Sequence, residues 1–589
     1  MLLAVALVSA VLYAWRAGTY LEGYYAAAVR SMSMSWHNFF FAAFDPAGTV
    51  TLDKLPGAFW IQALSVRMFG LHTWAIVLPQ VVEGVLSVLV LYRIVRRLCG
   101  PVAGLLAAIV LALSPATVAL NRGNISDSLM VLLLLLAADS AVVAVTAGRW
   151  SSTLLVGFWV GLAFQAKMVE AWIVLPALAL VYLVAAAGTR RRKLVRIGAM
   201  GIAAAVVSLS WMTVVTLTPA STRPYVDGSQ NNSLFQQVFV YNGVGRLDQA
   251  SPNQLLTRSI GIRIPNPPPA AWDRLLTGSF GRDIGWLLPA ALVALVAGLA
   301  ETWRNPRGDT TRAGFVLWGT WLFALGGTFS FSSSINSYYT AALSPPIAGL
   351  IASGSVLAWR RRHSIGVRTA VVATVLLSVT YAAWLLPVTG TGLPGWLAPG
   401  VLALGAAAGV ALAISWWSAA PTRLLPTSLA AALVAVLLVP TVASASIAAD
   451  RLGPFDTPFQ PVAVTYGVRA FFGVTSATAK LLPRLEQARR GAPYLMATET
   501  SALAAPFIFV SGQEVLPIGG YTGTIPEPSI TTIRSMIRAG EFHLVLQSPS
   551  TTDPRLVWIA RHCISVAQPT GDDVPTTTRY AIYYCLPTS

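Results

Sequence analysis

Residues 120–137, LNRGNISDSLMVLLLLLA, join a polar turn to the start of a long apolar run, and runs of this kind decide the fold class. An apolar run of about 17 to 25 residues can cross a bilayer as a helix, because a helix satisfies its own backbone hydrogen bonds in lipid. Hydrophobic residues make up 55% of the 589 residues. About thirteen runs are long enough, which predicts a polytopic α-helical membrane protein. They centre near Val8, Gly84, Ile109, Leu135, Trp159, Ala179, Val206, Ala294, Trp321, Ala348, Leu377, Ala407 and Ala435.

The charged residues divide the connections between these runs into two kinds. The formal net charge is +17, but the basic residues fall mainly in alternate short connections. Positive-inside sorting explains this placement, so nucleic-acid binding is not indicated. We expect a membrane protein with a cytoplasmic N-terminus and everything after about residue 448 outside the cytoplasm. The connections assigned to the cytoplasm carry Arg93, Arg96, Arg97, Arg149, Arg190, Arg191, Arg192, Lys193, Arg304, Arg307, Arg312, Arg360, Arg361, Arg362 and Arg423.

The first apolar run is short for a spanning helix, with about 14 residues and no basic residue before it. The core of a signal peptide is the alternative, but a charged n-region and a cleavage site before Trp15 are lacking. We therefore expect a first membrane helix, whose natural N-terminus could lie further upstream.

After about residue 448 the long apolar runs give way to shorter helical and strand-like pieces. The sequence therefore predicts a transmembrane domain over residues 1–447 and a small extracytoplasmic α/β domain over residues 448–589. Residues 519–523, GGYTG, could bind an anion, but a tight turn is the preferred interpretation, because a short Gly-rich stretch is weak evidence. Helical periodicity covers residues 477–490 and 530–539, and strand-like patterns cover residues 494–497, 515–518 and 543–547.

Three cysteines are too few for a disulfide framework or a thiolate metal site. Cys563 and Cys585 lie near two late strand-like runs on the predicted oxidising side of the membrane. We therefore expect a disulfide between them, with two reduced core cysteines as the alternative.

The first predicted outer segment, from Trp15 to Leu71, holds the first candidates for catalysis. Asp45 and Asp53 flank a turn rich in proline, glycine and threonine, and Lys54 follows Asp53 directly. A carboxylate beside a cation can remove a hydroxyl proton while the cation holds an anionic leaving group. An ordinary solvated ion pair is the alternative, and a divalent ion at the two aspartates stays open.

The turn at the outer end of the third run supplies Arg122, Asn124 and Asp127 as candidate substrate-binding residues. Asp127 begins a helix, so it could instead complement the positive end of the helix dipole.

Lys167, Tyr338 and Tyr339 lie at two further outer boundaries. The positive-inside rule gives little reason for a lysine there, whereas an anion such as a lipid phosphate would account for it. Snorkelling of the lysine and an aromatic belt for the tyrosines are the alternatives.

Two outer stretches, residues 218–233 and 241–247, combine hydroxyl, amide and aromatic side chains, which suits carbohydrate binding or a plain surface loop.

Motifs for nucleotide phosphates and for hydrolytic zinc do not occur, so the energy for any reaction arrives with the substrate.

Seven segments in order resemble the GT-C class of membrane glycosyltransferases, in particular bacterial relatives of protein mannosyltransferases and of the lipid A aminoarabinose transferase. The nearest likeness is to a subgroup found in actinobacteria and Bacillus. Two departures concern the donor pocket: Leu55 replaces the first proline of an Asp-Lys-Pro-Pro signature, and Asn336 and Ser337 precede the tyrosine pair where His-Pro is common. The segments are YYAAAVRSM, SWHNFFFAAFDPAG, TLDKLP, LNRGNISDSLMVL, AKMVEAW, LTPASTRPYV and YYTAALSPP.

The resemblance implies a metal-independent inverting enzyme that transfers a hexose or pentose from a polyprenyl-phosphate carrier to a cell-envelope glycan, lipid or protein. It implies that Lys54 and Lys167 bind the phosphate and that an outer acid deprotonates the acceptor. Asp45 and Asp53 are candidates for that acid, and distant relatives, which carry it directly after the first helix, point to Glu22. A transporter of lipid-linked sugars and a non-catalytic scaffold are the alternative functions; broken helices and repeats would favour the transporter.

Overall fold

The computed structural model describes residues 1–19, 21–248, 254–256, 259, 268–306, 308–386, 392–417, 424–455, 459, 476–566 and 580–587. Arg307 and Arg423, two of the predicted cytoplasmic residues, lie outside these ranges. The α-helices up to residue 248 are α1 (Leu2–Ala14), α2 (Gly23–Met34), α3 (Trp36–Phe41), α4 (Gly57–Phe69), α5 (Thr73–Cys99), α6 (Pro101–Ala112), α7 (Pro115–Leu120), α8 (Asp127–Ala147), α9 (Trp150–Lys167), α10 (Leu175–Ala185), α11 (Arg190–Leu217) and α12 (Gly245–Asp248).

The helices continue as α13 (Gly278–Ile284), α14 (Leu288–Thr302), α15 (Thr310–Phe331), α16 (Ser344–Arg360), α17 (Ile365–Leu385), α18 (Leu397–Trp417) and α19 (Leu424–Ala449). Short 3-10 turns cover Met168–Val174, Ala220–Thr222, Gly285–Leu287 and Ser337–Leu343, and a π-helix covers Gln236–Val244. The C-terminal part contains α20 (Ser476–Ala488), β1 (Met496–Thr498), α21 (Ser501–Ser511), β2 (Val515–Pro517), α22 (Ile530–Arg538), β3 (Leu544–Gln547), α23 (Pro554–His562), β4 (Ile564–Val566) and β5 (Ala581–Tyr584).

Helix ends next to the predicted cytoplasmic connections contact one another, and we call this end of the helix bundle the arginine end. Arg196 of α11 donates to the carbonyl of Gly148, just before α9 begins, at 2.8 Å. Arg360 at the end of α16 donates to the carbonyl of Cys99 at the end of α5, at 3.5 Å. Helix ends that are far apart in the chain therefore share this end of the bundle.

Ten helical segments among the described residues are long and apolar enough to cross a membrane. One of them, Trp150–Ala185, has 36 residues and combines α9, a 3-10 turn and α10. The helix breaks at Met168, whose φ is +54°. The contact of Arg196 with Gly148 places the start of α9 beside the start of α11, and α11 directly follows the end of α10. The segment therefore folds back and supplies two crossings.

Two of the thirteen predicted runs form shorter helices, which explains the rest of the difference in number. Helix α1 has 13 residues and α6 has 12 residues. The run around α6 is interrupted before Pro115, where α7 begins, so the two pieces are separate helices. The prediction of a polytopic helical membrane protein is confirmed. In the runs around α1 and α6, only part of the predicted length is regular helix.

Glycines allow the closest helix contacts in the bundle. Gly157 and Gly161, four residues apart on α9, face α11, where an added Cβ would lie 2.2 Å from the Met200 carbonyl oxygen and 2.4 Å from Cβ of Val207. Small residues at this spacing let two membrane helices approach backbone to backbone. This packing supports the end of α9, where Lys167 lies.

The C-terminal part is an α/β fold with one five-stranded sheet of order β2-β1-β3-β5-β4. Strand β1 is parallel to both β2 and β3, and β5 is antiparallel to both β3 and β4. The strand-like and helical patterns predicted there agree with the observed elements to within a few residues. Cys563 and Cys585 form a disulfide, with 4.6 Å between their Cα atoms.

Candidate active site

Glu22 lies at the N-terminus of α2 and is held there by both its side chain and its main chain. Its carboxylate accepts from the amide of Tyr25 at 2.7 Å, which caps the helix. The side chain of Asn124 accepts from the Glu22 amide at 2.8 Å and donates to the Glu22 carbonyl at 3.0 Å. Burial raises the pKa of Glu22 to about 8. Asn124 therefore positions an acid that can take up a proton near neutral pH.

Asp53 and Lys54 form a buried ion pair beside Glu22. The ammonium of Lys54 lies 3.0 Å from both carboxylate oxygens of Asp53, and the two side chains are 7% and 1% exposed. The amide of Asp53 donates to the Tyr24 hydroxyl at 2.9 Å, and Asn242 donates to the Asp53 carbonyl at 2.7 Å. The acid and the cation are therefore held together as the sequence suggested.

Asp45 has a different environment from Asp53. Its carboxylate accepts from the amides of Thr49 and Val50 at 3.0 to 3.1 Å, which closes the turn between Phe44 and Val50. Burial raises the pKa of Asp45 to about 6. These bonds give the Asp45 side chain a role in shaping the loop that carries Asp53.

A second buried ion pair joins α8 to the end of α9. The ammonium of Lys167 lies 2.6 Å from Asp127 and 3.9 Å from Glu170, and the Lys167 side chain is 4% exposed. It also lies 4.9 Å and 4.0 Å from the ring centroids of Tyr338 and Tyr339. Four positions that sequence reasoning proposed separately, Asp127, Lys167, Tyr338 and Tyr339, are therefore neighbours.

Arg246 connects the two ion pairs and was missed by sequence reasoning. Its guanidinium donates to Asn242 at 2.8 Å and to Ser334 at 3.0 Å, and it lies 5.4 Å from the ring centroid of Tyr241. Its charge acts on Asp53 on one side and on Glu170 and Tyr339 on the other. The only sequence signal was an arginine in a predicted outer loop, the stretch 241–247.

Asp227 joins three outer segments and was also missed. Its carboxylate accepts from the amides of Gly228 and Tyr521 at 2.7 and 2.9 Å and from the Tyr24 hydroxyl at 3.4 Å. Burial, and then the charge of Asp53, raise the pKa of Asp227 to about 7. Asp227 thus connects α2, the 218–233 loop and the C-terminal α/β fold.

Arg122 is directed at helix ends instead of at the ion pairs. Its guanidinium donates to the carbonyls of Leu12, Leu452 and Ala448 at 2.6, 3.0 and 3.4 Å. These contacts tie the ends of α1 and α19 together, which is a structural use of the charge. The local pattern could not distinguish this use from substrate binding.

The clustered residues, Glu22, Asp53, Lys54, Asp127, Lys167, Asp227 and Arg246, form what we call the charged cluster. Three cations and several acids lie there at the end of the bundle opposite the arginine end, so an anionic group could be held beside a proton acceptor. In the described part of the chain, no three His, Cys, Asp or Glu side chains are arranged to hold a metal ion.

Two family models match the chain. "Dolichyl-phosphate-mannose-protein mannosyltransferase" matches residues 53–212, which include both lysines of the charged cluster. "Putative mannosyltransferase YkcB-like, C-terminal" matches residues 481–562, within the α/β fold.

The architecture is similar to two solved membrane transferases. ArnT from Cupriavidus metallidurans bound to undecaprenyl phosphate has a TM-score of 0.56 and 18% identity, covering 99% of this chain and 97% of the other. The Archaeoglobus fulgidus oligosaccharyltransferase tethered with an acceptor peptide has a TM-score of 0.52 and 13% identity, covering 98% and 74%. The fold and the family models define a multi-pass membrane glycosyltransferase of the GT-C class.

Two Bacillus subtilis (strain 168) proteins match almost the whole chain. YycA, named a mannosyltransferase, is 30% identical over 92% of this chain and 90% of its own length. YkcB, with the same description, is 30% identical over 91% of this chain and 86% of its own length. The chain belongs to this mannosyltransferase family.

Proposed function

We propose that the protein transfers a sugar, mannose or a related hexose or pentose, from a polyprenyl phosphate to a cell-envelope acceptor. The observation that carries this proposal is the charged cluster, in which the buried Lys54 and Lys167 and the partly buried Arg246 lie together at one end of a GT-C membrane fold. Lys54 and Lys167 each already face an aspartate, whereas the Arg246 guanidinium hydrogen-bonds to the neutral side chains of Ser334 and Asn242. The charge of Arg246, between the two ion pairs, is therefore the one that a phosphate could take up. The solved ArnT structure, which contains undecaprenyl phosphate, supports a lipid phosphate as that group.

The ion pairs leave unsatisfied atoms that a substrate could use. Oδ1 of Asp127 and Oε1 of Glu170 are buried and have no hydrogen-bond partner among the described residues. Such orphan acceptors call for a donor that the folded chain does not itself provide. Sugar hydroxyl groups next to the phosphate would supply these hydrogen bonds.

Glu22 is the proposed general base, with Asp53 as the rival. Asp53 is neutralised by Lys54 at 3.0 Å, whereas the pKa of Glu22, raised by burial to about 8, makes its carboxylate a stronger proton acceptor. The acceptor oxygen loses its proton to the carboxylate and forms a bond to the anomeric carbon. The bond from that carbon to the phosphate oxygen breaks on the opposite side, which inverts the configuration and leaves polyprenyl phosphate on the cations.

The arginine end is proposed to face the cytoplasm of a bacterial cell, because positively charged connections are retained there. The charged cluster and the α/β fold then lie on the outer side. The Cys563–Cys585 disulfide agrees with an oxidising compartment. Transfer would therefore take place at the outer face.

The test is an assay of purified protein with a panel of polyprenyl-phosphate sugars, including mannose, glucose, galactose and arabinose. We expect one donor to be consumed with formation of a glycoside, and Glu22→Gln and Asp53→Asn each to lower the rate. Donor that crosses a vesicle membrane without any new glycosidic bond would contradict the proposal.

A further inference from the structure

The Gly-rich turn of the C-terminal α/β fold reaches the charged cluster. Residues 519–523 follow β2, and Gly519, Gly520 and Gly523 have φ values of +96°, +68° and +75°. A Cβ on Gly519 would lie 2.8 Å from the Cα of Gly523, so the turn closes on itself. Only glycine fits this backbone without strain.

Asp227 fastens this turn to the transmembrane part. The amide of Tyr521 donates to Oδ2 of Asp227 at 2.9 Å, and a Cβ on Gly520 would lie 2.4 Å from Oδ1 of the same carboxylate. Ser259 also donates to the carbonyl of Thr522 at 2.6 Å. The turn is therefore shaped around a carboxylate from the 218–233 loop.

Tyr521 projects from the turn onto α2. Its ring centroid lies 4.4 Å from that of Tyr24, whose hydroxyl binds the Asp53 amide. The Tyr521 phenol lies within electrostatic range of Glu22, Asp53 and Arg246. Among the described residues, none hydrogen-bonds to the Tyr521 hydroxyl.

The surroundings of Tyr521 suit a sugar. Tyr24 stacks on Phe44 at 4.9 Å, so aromatic rings pack beside the turn, and the carboxylates of Glu22, Asp53 and Asp227 lie within electrostatic range of the Tyr521 phenol. Aromatic faces pack against the apolar face of a sugar ring, and phenol and carboxylate groups bind its hydroxyls. Burial raises the pKa of Tyr521 well above its usual value, so the hydroxyl remains a donor.

We propose that Tyr521, presented by the 519–523 turn, is an acceptor-binding residue and that the acceptor is a carbohydrate hydroxyl. This inference rests on the proposed transferase function and gives the C-terminal α/β fold a direct part in the site. Tyr521 contacts the incoming sugar, and Asp227 positions Tyr521.

The experiment compares two rates in the full-length protein. With the donor that the wild-type protein consumes, transfer to methyl α-D-mannopyranoside is measured beside hydrolysis of the donor by water. For Tyr521→Phe we expect the KM for the glycoside to rise about 10-fold, because roughly one hydrogen bond to the glycoside is lost. The KM for the donor and the rate of donor hydrolysis should stay unchanged. Gly520→Ala should also raise the KM for the glycoside, because the added Cβ pushes the turn away from Asp227.

Tyr584→Phe is the matched control, because Tyr584 lies on β5 against His543, in the same α/β fold. An unchanged glycoside KM in Tyr521→Phe would overturn the inference while leaving the transferase function intact. Wild-type transfer to a serine peptide but not to the glycoside would overturn the carbohydrate class. If the wild-type protein consumes no polyprenyl-phosphate sugar, the proposed function itself fails.

Discussion

Helix α8 carries two aspartates whose cationic partners differ sharply in exposure to solvent. Asp127 at its N-terminus binds Lys167 with both side chains at most 4% exposed. Asp139, further along the same helix, is also buried, with a side chain 10% exposed, but it binds Arg93 at 2.8 Å and Arg97, whose side chains are 47% and 40% exposed. The first pair belongs to the charged cluster and the second to the arginine end.

The comparison shows how burial separates a functional charge from a structural one. An exposed ion pair contributes at most about 1 kcal/mol, because water and salt screen it. Burying an ion pair often costs more desolvation free energy than the attraction between its charges recovers. A buried ion pair therefore indicates a use beyond stability. We therefore propose that Asp127 and Lys167 serve the substrate and that Asp139 serves the fold and the topology.

The largest effect is expected from breaking the buried pair. Lys167→Met leaves Asp127 without its cation, so we expect about 3 to 5 kcal/mol of lost stability and at least a 100-fold loss of transfer. Thermal unfolding in detergent and the transfer assay measure the two quantities.

The double variant Asp127→Asn/Lys167→Met separates folding from function. It removes both charges, so much of the lost stability should return while transfer stays low. Recovery of transfer in the double variant would show that the pair is structural, as at the other end of α8.

A pH profile tests the acid of the charged cluster. Only the carboxylate form of a base accepts a proton, and burial raises the pKa of Glu22 to about 8. We therefore expect kcat/KM to increase with pH and to level off above about pH 8, and Glu22→Gln to lower it by about 100-fold or more. If Glu22→Gln keeps the full rate and the same profile, the base lies elsewhere, with Asp53→Asn as the next variant.

The smallest effect is expected at the arginine end. Asp139→Asn removes the ion pairs with two arginines that are nearly half exposed, so solvent screening should keep the change in stability near about 1 kcal/mol, and transfer should stay within twofold of the wild-type rate. The same two assays apply. A loss of transfer as large as that of Lys167→Met would remove the distinction between the two ends of α8.

Much of the fold was predictable because it depends on local patterns. Apolar run lengths predicted the membrane helices, and strand-like runs predicted β2 and β3 to within a residue or two. The lengths of two helices were less predictable, since α1 has only 13 residues and α6 has only 12, and Pro115 begins a separate helix within the run around α6.

The candidate site was predictable only in part. The outer placement of Asp127 and Lys167 pointed to a shared anion site, and the two side chains are in contact. Arg122 looked equivalent from the sequence, yet it binds carbonyls of helix ends. The contact between Asp227 and Tyr521 joins residues 294 positions apart, and no local pattern reports on such a contact.

The sequence by itself determined the class of protein, because hydropathy and arginine placement act on each segment separately as it meets the bilayer. Only the tertiary structure decided which carboxylate meets which cation. Ion pairing depends on distance and desolvation, and both arise only when Lys54, Arg246 and Lys167 are packed at one end of the bundle.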